Sequence, residues 1–270
     1  MIVRSTGVTW TRGVVILILA LTAPSQSEGA QDPVQKGEAV AREADRRDRG
    51  YGDSTASVTM VLKDRRGRTR ERRLRISTLE TPDDGDKLLV IFDEPRDVAG
   101  TAFLTWTHKS AADDQWLYLP ALKRIKRISS NNKSSPFMGS EFAYEDLASQ
   151  EVEKFTYRFI REEPLNERST LVVERSSVDP QSGYARSVVW FDKTTHRLEK
   201  IEFYDRKDDL LKTLTYSKYQ QYLGKHWRAD ELFMDNHQTD KSTLLRWKDY
   251  QFGTGLADRD FSQNILRRVR

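Results

Sequence analysis

Cysteine is absent from the 270 residues. Its absence excludes a disulfide scaffold, a thiolate zinc site, a Cys nucleophile and a lipid-modified N-terminal cysteine. Histidine is scarce: His108, His196, His226 and His237 are the four present, and no H-x-x-x-H or H-E-x-x-H spacing joins any two of them. No metal centre is therefore expected. Also missing are a G-x-S-x-G elbow, a phosphate-cradling P-loop and a dinucleotide G-x-G-x-x-G, so no cofactor is expected either. Asp83-Asp84, Asp113-Asp114 and Asp208-Asp209 are paired carboxylates, but each pair falls in a turn and reads as solvated turn chemistry rather than a hydrolytic dyad. Nothing nominates a nucleophile with its base, and the chain is not expected to be an enzyme. An excess of one charge is lacking too. The 45 Lys and Arg against 41 Asp and Glu leave only +4, small for a polyanion binder, and nucleic acid is not an expected partner.

Long apolar runs are missing with one exception. Val14, Val15, Ile16, Leu17, Ile18, Leu19, Ala20 and Leu21 follow Arg4 and Arg12 and precede the small residues Ala23, Ser25 and Ser27. The run is shorter than the roughly 20 residues that span a bilayer. Basic, apolar and small segments in that order read as a cleavable secretory signal over residues 1–27. A single domain is expected over residues 28–270, exported to the periplasm and not lipidated.

What is present is enough apolar mass for a core, 37% of residues beside 32% charged, patterned mostly with period two. Residues 34–49 read as a helix stopped by Gly50 and Gly52. Ala56, Val58, Met60 and Leu62 then alternate with polar residues as a half-buried strand, and Asp64, Arg65, Arg66 and Gly67 turn the chain into a second strand carrying Leu74 and Ile76. Further strands are expected at 87–92, 101–107, 115–119, 124–128, 154–161, 170–175, 186–191, 198–204, 211–219, 227–234 and 243–252. Helical turns are expected near 144–150 and 257–266. Sequential strands with short turns make an antiparallel meander, and a sheet this long curls, closes or splits. Several middle strands are apolar on both faces, among them 88–92, 116–119 and 188–191. Each face of such a strand needs a cover: a helix, a neighbouring strand or a ligand.

Two basic clusters stand out. Residues 63–75 carry a local net charge of +6, including Arg68, Arg70 and Arg72, and Lys123, Arg124 and Arg127 form part of the second. Such residues blunt sheet edges, or dock transiently on anionic lipid headgroups or an acidic partner. Between the strands lies an unusual loop, polar at 129–135 and then apolar at Phe137, Met138 and Phe142, leading into Leu147. An apolar loop tip needs a cover, and here it reads as a lid.

Two blocks in this region are distinctive: Asp114-Gln115-Trp116-Leu117-Tyr118-Leu119-Pro120 and Phe137-Met138-Gly139-Ser140-Glu141-Phe142. With Gly100-Thr101-Ala102-Phe103-Leu104-Thr105-Trp106 and Phe261-Ser262 they make the chain resemble the LolA-like family of outer-membrane lipoprotein-sorting proteins, over nearly all of residues 28–270. The resemblance implies a mainly β (α+β) fold: a curved, incomplete antiparallel β-barrel of about 11 strands, with helices covering an apolar cavity. It implies a periplasmic carrier of lipid or lipoprotein acyl chains, and a link to inner-membrane transporters of the resistance-nodulation-division class. No motif matches the lid arginine of the housekeeping carrier, so no cargo-contacting residue carries over. The alternatives are an adaptor for such a transporter with its cavity packed shut, and a two-sheet sandwich in place of the barrel. From strand parity the expected lipid-binding residues are Met60, Leu104, Trp106, Trp116, Tyr118 and Trp190, with Phe137, Met138, Phe142 and Leu147 as the lid.

Overall fold

The structure is a computed structural model that describes residues 1–2, 7 and 32–268. The expected signal segment, Met1, Ile2 and Gly7 apart, lies outside the described residues. Everything below concerns the body from Asp32 onward.

The chain opens with one helix, α1 (Pro33–Asp48). The Asp32 carboxylate accepts from the Val34 amide at 3.1 Å, and Pro33 supplies a pre-set φ where no amide is needed. At the far end Arg49 is already extended and Gly50 takes φ +91°, a conformation glycine adopts without a Cβ penalty. Thirteen strands follow: β1 (Asp53–Lys63), β2 (Thr69–Leu79), β3 (Lys87–Glu94), β4 (Ala102–Trp106), β5 (Asp114–Leu119), β6 (Arg124–Ile128), β7 (Phe155–Leu165), β8 (Arg168–Ser177), β9 (Tyr184–Asp192), β10 (Leu198–Asp205), β11 (Leu210–Tyr222), β12 (His226–Asn236) and β13 (Lys241–Phe252). The β1–β2 turn forms as its residues dictate. Asp64 Oδ1 accepts from the amides of Arg66 at 2.9 Å and Arg68 at 3.0 Å, and Gly67 supplies φ +77°.

All thirteen strands join one antiparallel sheet in the order β6-β5-β4-β3-β2-β1-β13-β12-β11-β10-β9-β8-β7. Two meanders therefore meet at the β1–β13 pair, and the edge strands β6 and β7 do not pair with each other. This is the expected incomplete barrel, with the thirteen strands read from the sequence rather than the roughly 11 that the family resemblance implies. The segment 129–154, which links β6 to β7, lies at the gap between the edges and contributes short 3-10 turns, including Phe137–Gly139 and Tyr144–Leu147.

The concave side holds the main core. Met60 on β1 stands opposite Arg72 on β2 and Leu245 on β13. Leu74 pairs with Phe92, Val90 with Phe103, and Phe103 with Leu117. The second wing adds Leu171, Val173, Val189, Phe191, Ile201, Phe203, Leu214 and Met234. Helix α1 packs against β7 and β8 and brings Val40 and Ala41 into the same cluster. Gly37 makes that approach possible: a Cβ there would meet the Phe159 backbone nitrogen at 2.6 Å and the Arg158 carbonyl carbon at 2.8 Å. Gly37→Ala gains roughly 1 kcal/mol of helix propensity, yet is expected to cost about 1–3 kcal/mol net, because backbone cannot yield as a side chain can. A melting temperature that rises in this variant would contradict the close helix–strand contact.

Candidate functional site: a roofed cavity on the concave face

A cavity of about 840 Å³ lies between α1 and the concave sheet. Ala41 and Ala44 of α1 face it. Ala56, Ile76, Val152, Phe191, Leu198 and Leu232 supply apolar wall, and Tyr157, Tyr216, Tyr219, Tyr250, Trp227 and Trp247 line it with aromatic rings. A second cavity, about 510 Å³, sits at the gap between the sheet edges, where Ile128 of β6 and Phe155 of β7 both line it. The two share a wall made of residues 148–150 and Arg175.

Carboxylates around the larger cavity are committed to partners. Glu151 and Asp45 both pair with Arg49, at 2.7 and 2.8 Å, and Asp48 pairs with Arg228. Asp86 accepts from the Tyr51 hydroxyl at 3.0 Å, and Glu80 accepts from the Gly50 and Gly52 amides. Desolvation raises the carboxyl pKa of both Asp86 and Glu151 above the ordinary range. The same desolvation pushes the Tyr157 phenol up to about 12. The lining carries seven Lys and Arg against five Asp and Glu, so the cavity is electropositive.

The structure separates the six residues expected to line the pocket. Met60 alone belongs to the concave core. Leu104 and Trp116 are buried on the other face of β4 and β5, with Trp106 and Tyr118 beside them, under Phe261 and Leu266. The Trp106 indole donates to the Phe261 carbonyl at 2.7 Å. Trp190 joins Val172 and Val188 in a third cluster and donates its indole N–H to Glu163, with Lys200 Nζ 3.6 Å above its ring. None of the six lines either cavity described here. Neighbouring side chains pack against them.

The four residues expected as a lid all pack into the core. Phe137 is 1% exposed, with ring-centre distances of 5.1 Å to Phe103, 5.8 Å to Phe92 and 5.5 Å to Tyr144. Phe142 is buried with it, and Met138 and Leu147 pack partly buried against the same core. All four are thus turned toward the interior in this structure. Of the basic residues, Arg68 and Arg127 are exposed and pair with Asp64 and Asp114, and Arg70, Lys123 and Arg124 are exposed. Arg72 departs from the surface set: its guanidinium is half-buried and donates to the Met138 carbonyl at 2.6 Å.

The residues that do line the cavity were missed, and one left a signal. Arg175 ends the expected strand 170–175 with the same parity as Leu171 and Val173, an arginine at an inward position. The tyrosines left none, because their strands alternate without declaring which face is concave.

A single antiparallel sheet curled into an open half-barrel, with one helix packed over a half-open cavity, defines the LolA type of fold. A crystal structure from Vibrio parahaemolyticus, described as an outer membrane lipoprotein-sorting protein domain, matches with 54% identity and TM-score 0.86, over 87% of this chain and 100% of that one. The chain belongs to this LolA-like family. A family profile described only as an uncharacterized protein matches residues 84–268. A DUF1329 family protein from Desulfovibrio piger matches at 28% identity and TM-score 0.83, over 87% of this chain and 99% of that one. A LolA superfamily protein from Nitrosomonas europaea shares the fold at 19% identity and TM-score 0.69, over 85% of this chain and 98% of that one. Comparison with curated proteins returns no match.

Proposed function

We propose that the protein is a periplasmic carrier. It holds the acyl chain of a lipid or lipoprotein in the cavity beneath α1 and moves it between the inner and outer membranes. The observation that carries this reading is the cavity itself, a hollow of about 840 Å³, within the range of ligand sites. The lipoprotein-sorting description of the Vibrio relative supports it. So does the physical problem such a protein solves. Each exposed CH₂ costs about 0.8 kcal/mol, so a 16-carbon chain costs about 12 kcal/mol in water. Shielding it needs a dry wall and no bond chemistry, which accords with a non-enzymatic role. Export follows from the leader over residues 1–27 in this reading. The exposed Arg68, Arg70, Lys123, Arg124 and Arg127 make transient contact with anionic membrane surface or with an inner-membrane transporter of the resistance-nodulation-division class, each charge adding roughly 1 kcal/mol near a lipid surface.

Protein purified from its native envelope should carry extractable acyl lipid detectable by mass spectrometry, and should bind an apolar fluorophore that fatty acid displaces. Ala44→Trp, on the cavity side of α1 and only partly buried, is expected to weaken fluorophore binding about tenfold or more by filling the hollow, with little change in melting temperature. Tight binding in Ala44→Trp, or a native preparation free of lipid, would overturn the carrier reading.

A further inference from the structure

Resting on that carrier reading, we infer that Arg175 is the anchor for an acidic headgroup, so that the cargo is an acyl chain ending in a carboxylate or phosphate. The argument begins with an uncompensated charge. Arg175 is 6% exposed, on the concave face of β8, and it lines both cavities. Its Nε donates to Ser187 Oγ at 3.0 Å, and its guanidinium carbon lies 4.5 Å from the centre of the Phe155 ring. Among the described residues no carboxylate pairs with it, and its two Nη atoms have no hydrogen-bond partner. Burial pulls the guanidinium pKa below its ordinary range. A buried cation without a partner is costly, and arginine presents a rigid fork that matches a carboxylate or phosphate two bonds at a time.

Every acid that could neutralise it is engaged elsewhere. Asp146 accepts from the Tyr184 hydroxyl at 2.8 Å, the Ala143 amide at 2.7 Å and Lys212 Nζ at 2.7 Å. Glu145 accepts from the Ser182 hydroxyl and the Gly183 amide. Asp113, Asp179 and Glu153 pair with Lys154, Lys133 and Arg42. The acids of the larger cavity are held by Arg49, Arg228, Tyr51 and the backbone, as described above. Two further donors on that cavity are also open. Trp247 Nε1 is buried with no partner, and the Tyr216 hydroxyl, within electrostatic reach of Arg175, bonds to no described residue. Open donors gathered beside a cation with no acid partner fit a ligand whose polar end accepts, which is what an anionic headgroup offers.

The test compares ligands that share a hydrocarbon chain and differ at one end. Purified full-length protein is titrated with palmitate, hexadecanol, a short-chain phosphatidic acid and inorganic phosphate, read by fluorophore displacement. Wild type should prefer palmitate or phosphatidic acid over hexadecanol by about tenfold, as expected for a charge-assisted pair. Whichever acid binds tighter distinguishes a carboxylate from a phosphate source. Arg175→Gln should lose the preference for the acids over hexadecanol, and Arg175→Lys should retain part of it. Equal binding of acid and alcohol by wild type overturns the anchor while leaving the carrier reading intact. Binding of none of the acyl compounds overturns both. Inorganic phosphate competing as well as phosphatidic acid overturns the amphiphile and makes the site one for free anions. Arg175→Met should not lower the melting temperature of ligand-free protein. A lowered value with the acid preference intact would make Arg175 a structural residue only and sink the proposal.

Discussion

Phe137→Ala is expected to cost about 3–5 kcal/mol of stability, as emptying a packed aromatic site does. The side chain is 1% exposed and sits among Phe92, Phe103 and Tyr144, so truncation removes an aromatic cluster at its centre. The surrounding backbone is fixed as well. The Phe137 amide donates to the Phe142 carbonyl at 2.7 Å, and Ser140 Oγ donates back to the Phe137 carbonyl at 2.8 Å, so the loop cannot easily collapse into the void. The measurement is denaturant unfolding, with the midpoint falling at an unchanged slope. A mobile lid makes the opposite prediction: a surface loop residue costs within about 0.5 kcal/mol. A loss that small would restore the lid. The larger loss would establish that segment 129–154 is part of the core at the gap between β6 and β7.

The contrast shows where sequence reasoning reaches and where it stops. Helix α1, the hairpin at 64–67 and nearly all strands were legible, because capping, turn chemistry and period-two alternation act over a few residues. Met60 was placed on its correct side because β1 alternates apolar and polar residues, and only one face of such a strand can be buried. Strands β3, β4 and β5 are apolar on both faces, so parity left their orientation open. Their far face is covered by Phe261 and Leu266, more than a hundred residues downstream, a cover that no local pattern reports. Trp106 and Trp116, large aromatics in two of the blocks that carry the family resemblance, drew a functional reading, and in the structure their rings pack against the C-terminal segment. The loop carrying Phe137 and Phe142 was ambiguous for a related reason. A loop with Phe137 and Phe142 needs cover whether it closes over a hollow or fills one, and only the tertiary structure decides between them.

Breaking the Asp146–Lys212 pair should be as damaging as truncating Phe137. Lys212 of β11 is 3% exposed, and its ammonium donates to Asp146 Oδ2 at 2.7 Å and to the Glu141 carbonyl at 2.9 Å. Asp146 also accepts from Tyr184 of β9 and from the Ala143 amide at the start of the Tyr144–Leu147 turn. One carboxylate thus ties the edge-spanning segment to β9 and β11 of the second wing. Lys212→Met leaves that carboxylate buried without a counter-charge, and Asp146→Asn strands the ammonium. Either change is expected to cost about 3–5 kcal/mol. The double variant strands neither charge, so its loss should fall short of the sum by about 1–3 kcal/mol in a denaturant-unfolding cycle. Additivity within about 0.5 kcal/mol would mean the two groups act independently. The single variant Lys212→Met carries a second consequence. Asp146 already acts electrostatically on Arg175, and without Lys212 its charge is left to a buried guanidinium that has no acid of its own among the described residues. The acid-over-alcohol preference of the cavity should then shrink even though Arg175 itself is untouched. A preference that survives in Lys212→Met at full strength would show that Asp146 and Arg175 are electrostatically separate.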